Sequence, residues 1–290
     1  MRLRVINDVA FRHVFGREAT KENLLHFLNA VLAKTQTEPI SDLALKETDL
    51  DPETIGQKSC RLDIRATTTK GTHINVEVQI RDQADIEKRS LFYWSKLYIS
   101  QLHKGEQYKE LAPTIAINIF DFSYFHHHKV HSTYSILENE INLPLTDTLE
   151  IHFIELPKLR NQPKYDVTCP LTRWLLFLSE DTDQKLMEEI VMNDKTIHRA
   201  NEDLEKLAMD EQALRMYEIR EKALRDERSN LAAATERGHK QGLKQGLKQG
   251  LEQKQEMIQQ MVVKGLGDDL IYEIAGISKK ELEELKRRLT

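Results

Sequence analysis

The sequence lacks the features that mark a secreted, disulfide-stabilised or membrane-spanning protein. Its 290 residues include only two cysteines, Cys60 and Cys169, so we expect neither a disulfide framework nor a zinc knuckle. No apolar run approaches the roughly 20 residues that cross a bilayer, and the first residues lack the apolar core of a signal peptide. We therefore expect a cytoplasmic protein without membrane contacts.

An excess of basic charge is also missing. The formal net charge is -5, and basic and acidic side chains almost balance over residues 1–110, so the acidic excess lies in the second half. Any nucleic-acid site must therefore be a local patch. The chain also has no P-loop, no GxGxxG, no GxSxG and no HExxH motif, which argues against the enzyme classes that use them.

Two short segments that do carry a clear pattern contain a pair of carboxylates. Residues 61–67 and 72–80 alternate polar and apolar side chains, as half-buried strands do, and a turn-like stretch joins them. A hairpin centred on Lys70 would set Asp63 opposite Glu77, with Cβ atoms about 5 Å apart. Facing like charges destabilise a sheet, so the pair predicts a divalent cation, Mg²⁺ or Mn²⁺, between them. The alternative is two solvated carboxylates on an open sheet face.

The other elements of the first half predict a compact α/β core. By their apolar spacing and breaks we expect helices over 5–33 with a break at Gly16 and over 85–104, and strands within 41–50, over 113–120 and over 149–156. The second of these helices should bury an apolar stripe of Leu91, Trp94, Tyr98 and Leu102. Its polar face should carry Arg89, Tyr93 and Lys96.

The sequence of the second half predicts a helical extension. Residues 179–237 are charged and free of Gly and Pro, with an intermittent apolar stripe that predicts packing on the core or on a partner. A glycine then recurs every fourth residue, which indicates a polar linker-helix over 238–255, or alternatively a helix–helix seam. Residues 256–290 predict a small helical tail that would gain burial by pairing with another copy. We therefore expect a homo-oligomer formed through the C-terminal helices.

A run of histidines suggests a possible metal site. It consists of His126, His127, His128 and His131. Adjacent histidines cannot all face one ion, and the polar residues around them indicate a surface loop. We favour the surface loop.

Several short motifs agree in their order along the chain. They are residues 7–16 (NDVAFRHVFG), 61–64 (RLDI), 76–79 (VEVQ), 89–94 (RSLFYW), 105–108 (GEQY) and 217–226 (YEIREKALRD), followed by the glycine repeat. This ensemble resembles the recombination-promoting nuclease and transposase family of the PD-(D/E)XK superfamily. The resemblance implies a restriction-endonuclease-like core over 1–178, with a mixed central sheet flanked by helices, and a helical C-terminal extension beyond it.

The resemblance also implies an activity and assigns residues to it. The expected activity is Mg²⁺-dependent, low-specificity DNA endonuclease cleavage, associated with recombination or mobile elements. Asp63, Glu77 and the carbonyl of Val78 would hold the metal. The side chains expected to contact DNA are Arg61, Arg65, Tyr93 and Lys96. The alternative is a non-catalytic interaction protein that keeps the nuclease fold.

One position departs from the superfamily pattern. Gln79 stands where a lysine is usual, and an amide can orient the attacking water but adds no positive charge. Arg89 is a candidate source of that charge, with a surface salt bridge to Asp85 as the alternative. Asp8 is a candidate additional acid on the first helix, with a helix N-cap as the alternative.

Overall fold

The computed structural model describes residues 2–50, 60–61, 63–82, 85–162 and 164–289, and the side chains of 49, 50, 60, 61, 288 and 289 are not described. The strands are β1 (Leu43–Lys46), β2 (Asp49–Leu50), β3 (Cys60–Arg61), β4 (Ile64–Thr68), β5 (His73–Gln79), β6 (Thr114–Phe120), β7 (His131–Tyr134) and β8 (Leu149–Glu155). The helices are α1 (Asp8–Phe15), α2 (Lys21–Leu32), α3 (Ile86–Ile99), α4 (Pro170–Leu178), α5 (Gln184–Asn193), α6 (Lys195–Met209), α7 (Glu211–Val263), α8 (Asp268–Ala275) and α9 (Lys279–Leu289). The chain divides into two compact units, Met1–Glu221 and Lys222–Thr290.

A six-stranded mixed sheet forms the centre of the first unit. Its strand order is β1-β4-β5-β6-β8-β7, and β2 pairs with β3 in a separate two-stranded sheet. The central strands β5, β6 and β8 run parallel, whereas β1, β4 and β7 join them antiparallel. Parallel strands are normally covered on both faces, and this sheet follows that rule.

The β4–β5 hairpin has the predicted register. Ile64 pairs with Val76 and Arg65 pairs with Asn75, as a hairpin centred on Lys70 requires. Gly71 in the turn has a φ of 86°, which glycine adopts without steric cost. The predicted hairpin is therefore confirmed.

One face of the sheet packs on α1, α2, α4 and α6. Aliphatic residues of the strands, such as Ile74 and Ile117, share a core there with the buried rings of Phe11, Phe27 and Trp174. At the end of α1, the Gly16 N–H donates to the carbonyl of Arg12 at 2.8 Å, so the predicted break between the two helices is confirmed.

The other face is covered by α3, and two predictions fail for that reason. Strand β5 is not half-buried, because Asn75, Glu77 and Gln79 are 1%, 3% and 7% exposed beneath the helix. Buried polar side chains of the sheet need polar partners. The small Ser90 of α3 supplies one, because its hydroxyl donates at 2.9 Å to Oδ1 of Asn118 on the neighbouring strand β6. Leu91 consequently points outward and is 48% exposed, contrary to the predicted stripe.

The helix α3 is also shorter than predicted. It ends at Ile99, so Leu102 lies outside it. Trp94 and Tyr98, two members of the expected stripe, stack on each other with ring centroids 4.8 Å apart.

The second unit is helical. Helix α7 continues through the glycine repeat, and a Cβ added at Gly238, Gly242, Gly246 or Gly250 would meet no described atom within 4 Å. Beyond it, Ile258, Ile271, Ala275 and Leu282 bury one another in a small cluster. Ser278 precedes α9, and Glu281 accepts hydrogen bonds from its N–H and hydroxyl, which makes a capping box. Among the described residues, no helix is both long enough and apolar enough to span a membrane.

Candidate metal and active site

Asp63 and Glu77 lie in direct contact at the open end of the β4–β5 hairpin. The Asp63 N–H donates to Glu77 Oε1 at 3.0 Å, and the Val78 N–H donates to Asp63 Oδ2 at 2.9 Å. Asp63 stands just before β4 begins. Its carboxylate accepts the Val78 N–H, which the backbone carbonyl of a paired strand would otherwise accept. The two carboxylates therefore share one small region at the edge of the pairing.

Glu77 carries the strongest electrostatic signal of the site. Burial and the neighbouring Asp63 carboxylate raise the pKa of Glu77 to about 8, against the lowering effects of the Asp63 N–H, Arg89 and Arg12. Its Oε2 makes no hydrogen bond to any residue that the structure describes. A buried carboxylate with a like charge beside it is stabilised by added positive charge.

The backbone of Val78 faces the same region. In a strand, the N–H and C=O of one residue point to the same neighbour. The Gln79 carbonyl accepts from Asp121 N–H at 3.0 Å, which turns Gln79 towards the β6 side and leaves Val78 directed towards Asp63. The Val78 carbonyl thus lies on the side of the carboxylate pair. The Gln79 Oε1 atom is buried without a hydrogen-bond partner among the described residues.

Arg12 of α1 is a member of this cluster that sequence reasoning missed. Its Nη2 lies 3.0 Å from Asp63 Oδ1, and the two side chains are 34% and 15% exposed. Arg12 lies within the motif at residues 7–16, four residues after Asp8. This spacing places both side chains on one face of α1, and it was the signal in the sequence that could have identified Arg12. The missing information was the tertiary contact that brings the side chain of Arg12 to Asp63.

Arg89 and Tyr93 stand on α3 above Glu77. Arg89 Nε donates to the Tyr93 hydroxyl at 3.1 Å, and its guanidinium lies 5.2 Å from the ring centroid of Tyr93. The charge of Arg89 lowers the pKa of Glu77. Asp85, the alternative partner expected for Arg89, pairs instead with Lys88 at 2.6 Å.

Asp8 is the first residue of α1 and is not its N-cap. Asn7 has the extended backbone of a cap and accepts from the Val9 N–H, so the capping alternative for Asp8 is wrong. Asp8 pairs with Arg220 at 3.0 Å. Next to it, Asn7 Nδ2 donates to Glu221 Oε1 at 2.9 Å, in a buried contact.

The remaining predicted DNA contacts lie on two elements. Arg65 of β4 reaches the C-terminal end of α3, where its Nη2 lies 3.4 Å from Oγ of Ser100, the C-cap residue of that helix. Lys96 of α3 has its Nζ 6.0 Å from the ring centroid of Phe92. The side chain of Arg61 lies outside the described residues.

The donor set fits a hard divalent cation. Among the described residues, no group of three or more His, Cys, Asp or Glu side chains gathers as a metal cage. Mg²⁺ does not need one, because it is commonly held by one or two carboxylates, waters and substrate phosphates. Asp63, Glu77 and the Val78 carbonyl match that pattern.

The sequence profile described as PD-(D/E)XK nuclease family transposase matches residues 5–234. The chain belongs to this family. No significant match is found among curated proteins or among solved structures. The resemblance read from the motifs is thereby confirmed, and the mixed sheet with flanking helices agrees with the PD-(D/E)XK α/β fold.

Within this nuclease family fold, the predicted histidine loop is only partly correct. His126 and His128 are exposed, as expected of a surface loop. His131 instead begins β7, where it pairs with Ile154, and its Nε2 lies 2.7 Å from Nδ1 of the buried His152. A strand of four residues without apolar alternation gave no pattern from which β7 could be predicted.

Proposed function

We propose that the protein is a metal-dependent DNA endonuclease of low sequence specificity that acts in recombination or on mobile DNA. The observation that supports this most is the contact between Asp63 and Glu77, with Glu77 buried and its pKa raised to about 8. Burial and mutual repulsion make it unfavourable to keep both carboxylates ionised. Such pairs are concentrated at functional sites, and binding of Mg²⁺ or Mn²⁺ would offset the repulsion.

Each residue then has a defined role in hydrolysis. Asp63, Glu77 and the Val78 carbonyl hold the ion, which when bound polarises the scissile phosphate and acidifies a water. The Gln79 amide, next along β5 on the face of Glu77, orients the attacking water. Arg89 contributes the positive charge that glutamine lacks at this place.

The DNA contacts proposed around the metal are Arg61, Arg65, Tyr93 and Lys96. Basic side chains mainly contact phosphates, which position the duplex without reading its sequence. Low specificity is the expected consequence. Asp8 remains the proposed additional acid, and a cytoplasmic location is part of the proposal because the chain has few cysteines.

Metal dependence is the direct test. Purified protein should nick supercoiled plasmid in Mg²⁺ or Mn²⁺, and should leave it intact in EDTA. Two plasmids of unrelated sequence should be cut at similar rates if specificity is low. Cleavage that persists in EDTA after dialysis would contradict the metal assignment.

A non-catalytic interaction protein is the second candidate. The ion pair between Arg12 and Asp63 favours it, because a guanidinium here already offsets part of the carboxylate charge. In that case the site would bind divalent ions weakly or not at all. Calorimetry that detects Mg²⁺ or Mn²⁺ binding in the wild type, and its loss in Glu77→Ala, would count against this candidate.

Two substitutions of Gln79 test the role proposed for this residue, which stands where the superfamily usually has lysine. We expect Gln79→Lys to preserve or raise plasmid cleavage, since an ammonium adds transition-state charge at the same reach. Gln79→Ala should lower the rate about tenfold, because it removes the amide that orients water. If Gln79→Lys abolishes cleavage while metal affinity is unchanged, the assignment of this position is wrong.

The tail offers a test of the proposed homo-oligomer. Deleting 238–290 should leave the first unit folded, because the two cores of that unit consist of residues between Leu3 and Tyr217. We expect the truncated protein to have a lower oligomeric state, because Leu270 and Ile274 leave about half of their surface exposed. Light scattering of both proteins measures this, and an unchanged number of copies per particle would refute the role of the tail.

A further inference from the structure

A cleft of about 1100 Å³ lies between β7, the end of α2 and the start of α4. None of the residues assigned to the candidate metal site lines it. Its volume is slightly above the roughly 300–1,000 Å³ of common small-molecule sites, so it has room for a small organic ligand.

The cleft is positively charged. Lys34, Lys129 and Lys164 line it, and none of the three forms an ion pair with a residue that the structure describes. Asp166 is the one acidic residue among the described lining residues, and it is engaged by the N–H and hydroxyl of Thr168, which lower its pKa. Three lysines on three separate segments therefore outnumber the one carboxylate that lines the same space, and this favours an anionic ligand with several charged oxygens.

His131 is a further polar group that lines the cleft, and it belongs to a chain of hydrogen bonds with His152 and Glu150, called the relay below. Burial raises the pKa of Glu150, but hydrogen bonds from His152 and Thr35 lower it more, so this carboxylate is ionised and only accepts. His152 Nε2–H therefore donates to Glu150. On the other side of the ring, His152 Nδ1 lies 2.7 Å from His131 Nε2, so these two nitrogens share a hydrogen bond.

The relay fixes which atom of His131 remains for a ligand. Burial, His152 and Lys34 lower the pKa of His131 to about 4, so the ring is neutral and carries one N–H. Because Nε2 is engaged by His152, Nδ1 is the ring nitrogen that remains for a ligand. A ligand hydroxyl can pair with this nitrogen in either tautomer, because a hydroxyl both donates and accepts.

Aromatic surface completes the cleft, because Tyr134 and Tyr165 also line it. We propose that this cleft binds a ribonucleoside phosphate, with its phosphates on Lys34, Lys129 and Lys164, a ribose hydroxyl on His131 Nδ1 and its base against the tyrosines. This ligand combines three features that the cleft can recognise: several anionic oxygens, a hydroxyl and a ring that stacks on aromatic side chains.

Calorimetry on the full-length protein in EDTA tests the charge recognition, with ATP as the probe. We expect wild type to bind ATP and the Lys34→Ala/Lys129→Ala/Lys164→Ala variant to bind it on the order of 100-fold more weakly. All three lysines are exposed, so the variant should fold. Lys185→Ala, an exposed lysine on α5 outside the cleft, is the matched control and should bind like wild type. Absence of ATP binding, or equal binding by the triple variant, overturns the proposal.

A second comparison tests the hydroxyl contact. An ATP analogue that lacks both ribose hydroxyls should bind wild type about fivefold more weakly than ATP, and His131→Phe should bind the two equally. A difference that persists in His131→Phe contradicts the assigned contact between the ribose hydroxyl and His131. If single-stranded DNA binds the cleft more tightly than ATP and displaces it, the occupant is nucleic acid and the nucleotide proposal is wrong. Because every measurement is of binding without metal, these outcomes are independent of the proposed nuclease activity.

Discussion

Replacing Glu77 by Gln, or Asp63 by Asn, should lower plasmid cleavage by on the order of 10³-fold, if the two carboxylates hold the catalytic ion. Each substitution keeps the size of the side chain and removes one negative charge. Loss of either charge weakens metal binding, and the phosphate is then no longer polarised. The rate is measured by conversion of supercoiled plasmid to the nicked form in excess Mg²⁺.

The two variants also separate loss of activity from loss of fold. Glu77→Gln removes a buried carboxylate whose ionisation is costly, so the metal-free variant should be at least as stable as wild type at alkaline pH. Glu140→Gln, an exposed carboxylate outside the site, should cleave like wild type. Cleavage by Asp63→Asn and Glu77→Gln at the wild-type rate would remove the basis of the proposed mechanism.

Metal affinity should rise by about 50-fold between about pH 6 and pH 8, because metal-free Glu77 has a pKa of about 8. The sign follows from the raised pKa. Below it Glu77 is protonated, and a cation that binds the carboxylate must first expel that proton. Above it the group is already ionised, and affinity should become independent of pH.

Proton release makes this prediction measurable in a second way. Calorimetric titration of Mn²⁺ in buffers of different ionisation enthalpy should show close to one proton released at about pH 6 and almost none at about pH 9. In Asp63→Asn the neighbouring negative charge is gone, so the pKa of Glu77 should fall and the transition should move to lower pH. Equal affinity across this pH range would mean that Glu77 does not ligate the ion.

The hairpin and its carboxylates were predictable because they depend on local patterns. The alternation of β4 and β5 and the turn at Gly71 together determine the register that brings Asp63 to Glu77. These signals lie within about 20 residues of one another. The family motifs added the sheet with flanking helices and the expected metal chemistry.

Contacts between distant segments were not predictable in the same way. The burial of β5 on both faces depends on where α3 packs, and the sequence of α3 has an apolar stripe that points elsewhere. Arg12 on α1 and Asp63 before β4 are 51 residues apart in the sequence and meet only in the folded chain. The relay from His131 to Glu150 links β7 and β8, and β7 has no pattern of its own.

The first helix is held in place by residues that are synthesised last in its unit. Besides the contacts of Asn7 with Glu221 and of Asp8 with Arg220, the Arg4 N–H donates to the Tyr217 hydroxyl at 2.8 Å. At 5–20 residues per second, roughly 10–45 s pass between translation of α1 and translation of these partners. We therefore expect Arg12 to reach its final position beside Asp63 only near the end of synthesis. A nascent or prematurely terminated chain would lack these contacts of α1, so the carboxylate site should be fully assembled only after the whole first unit has left the ribosome.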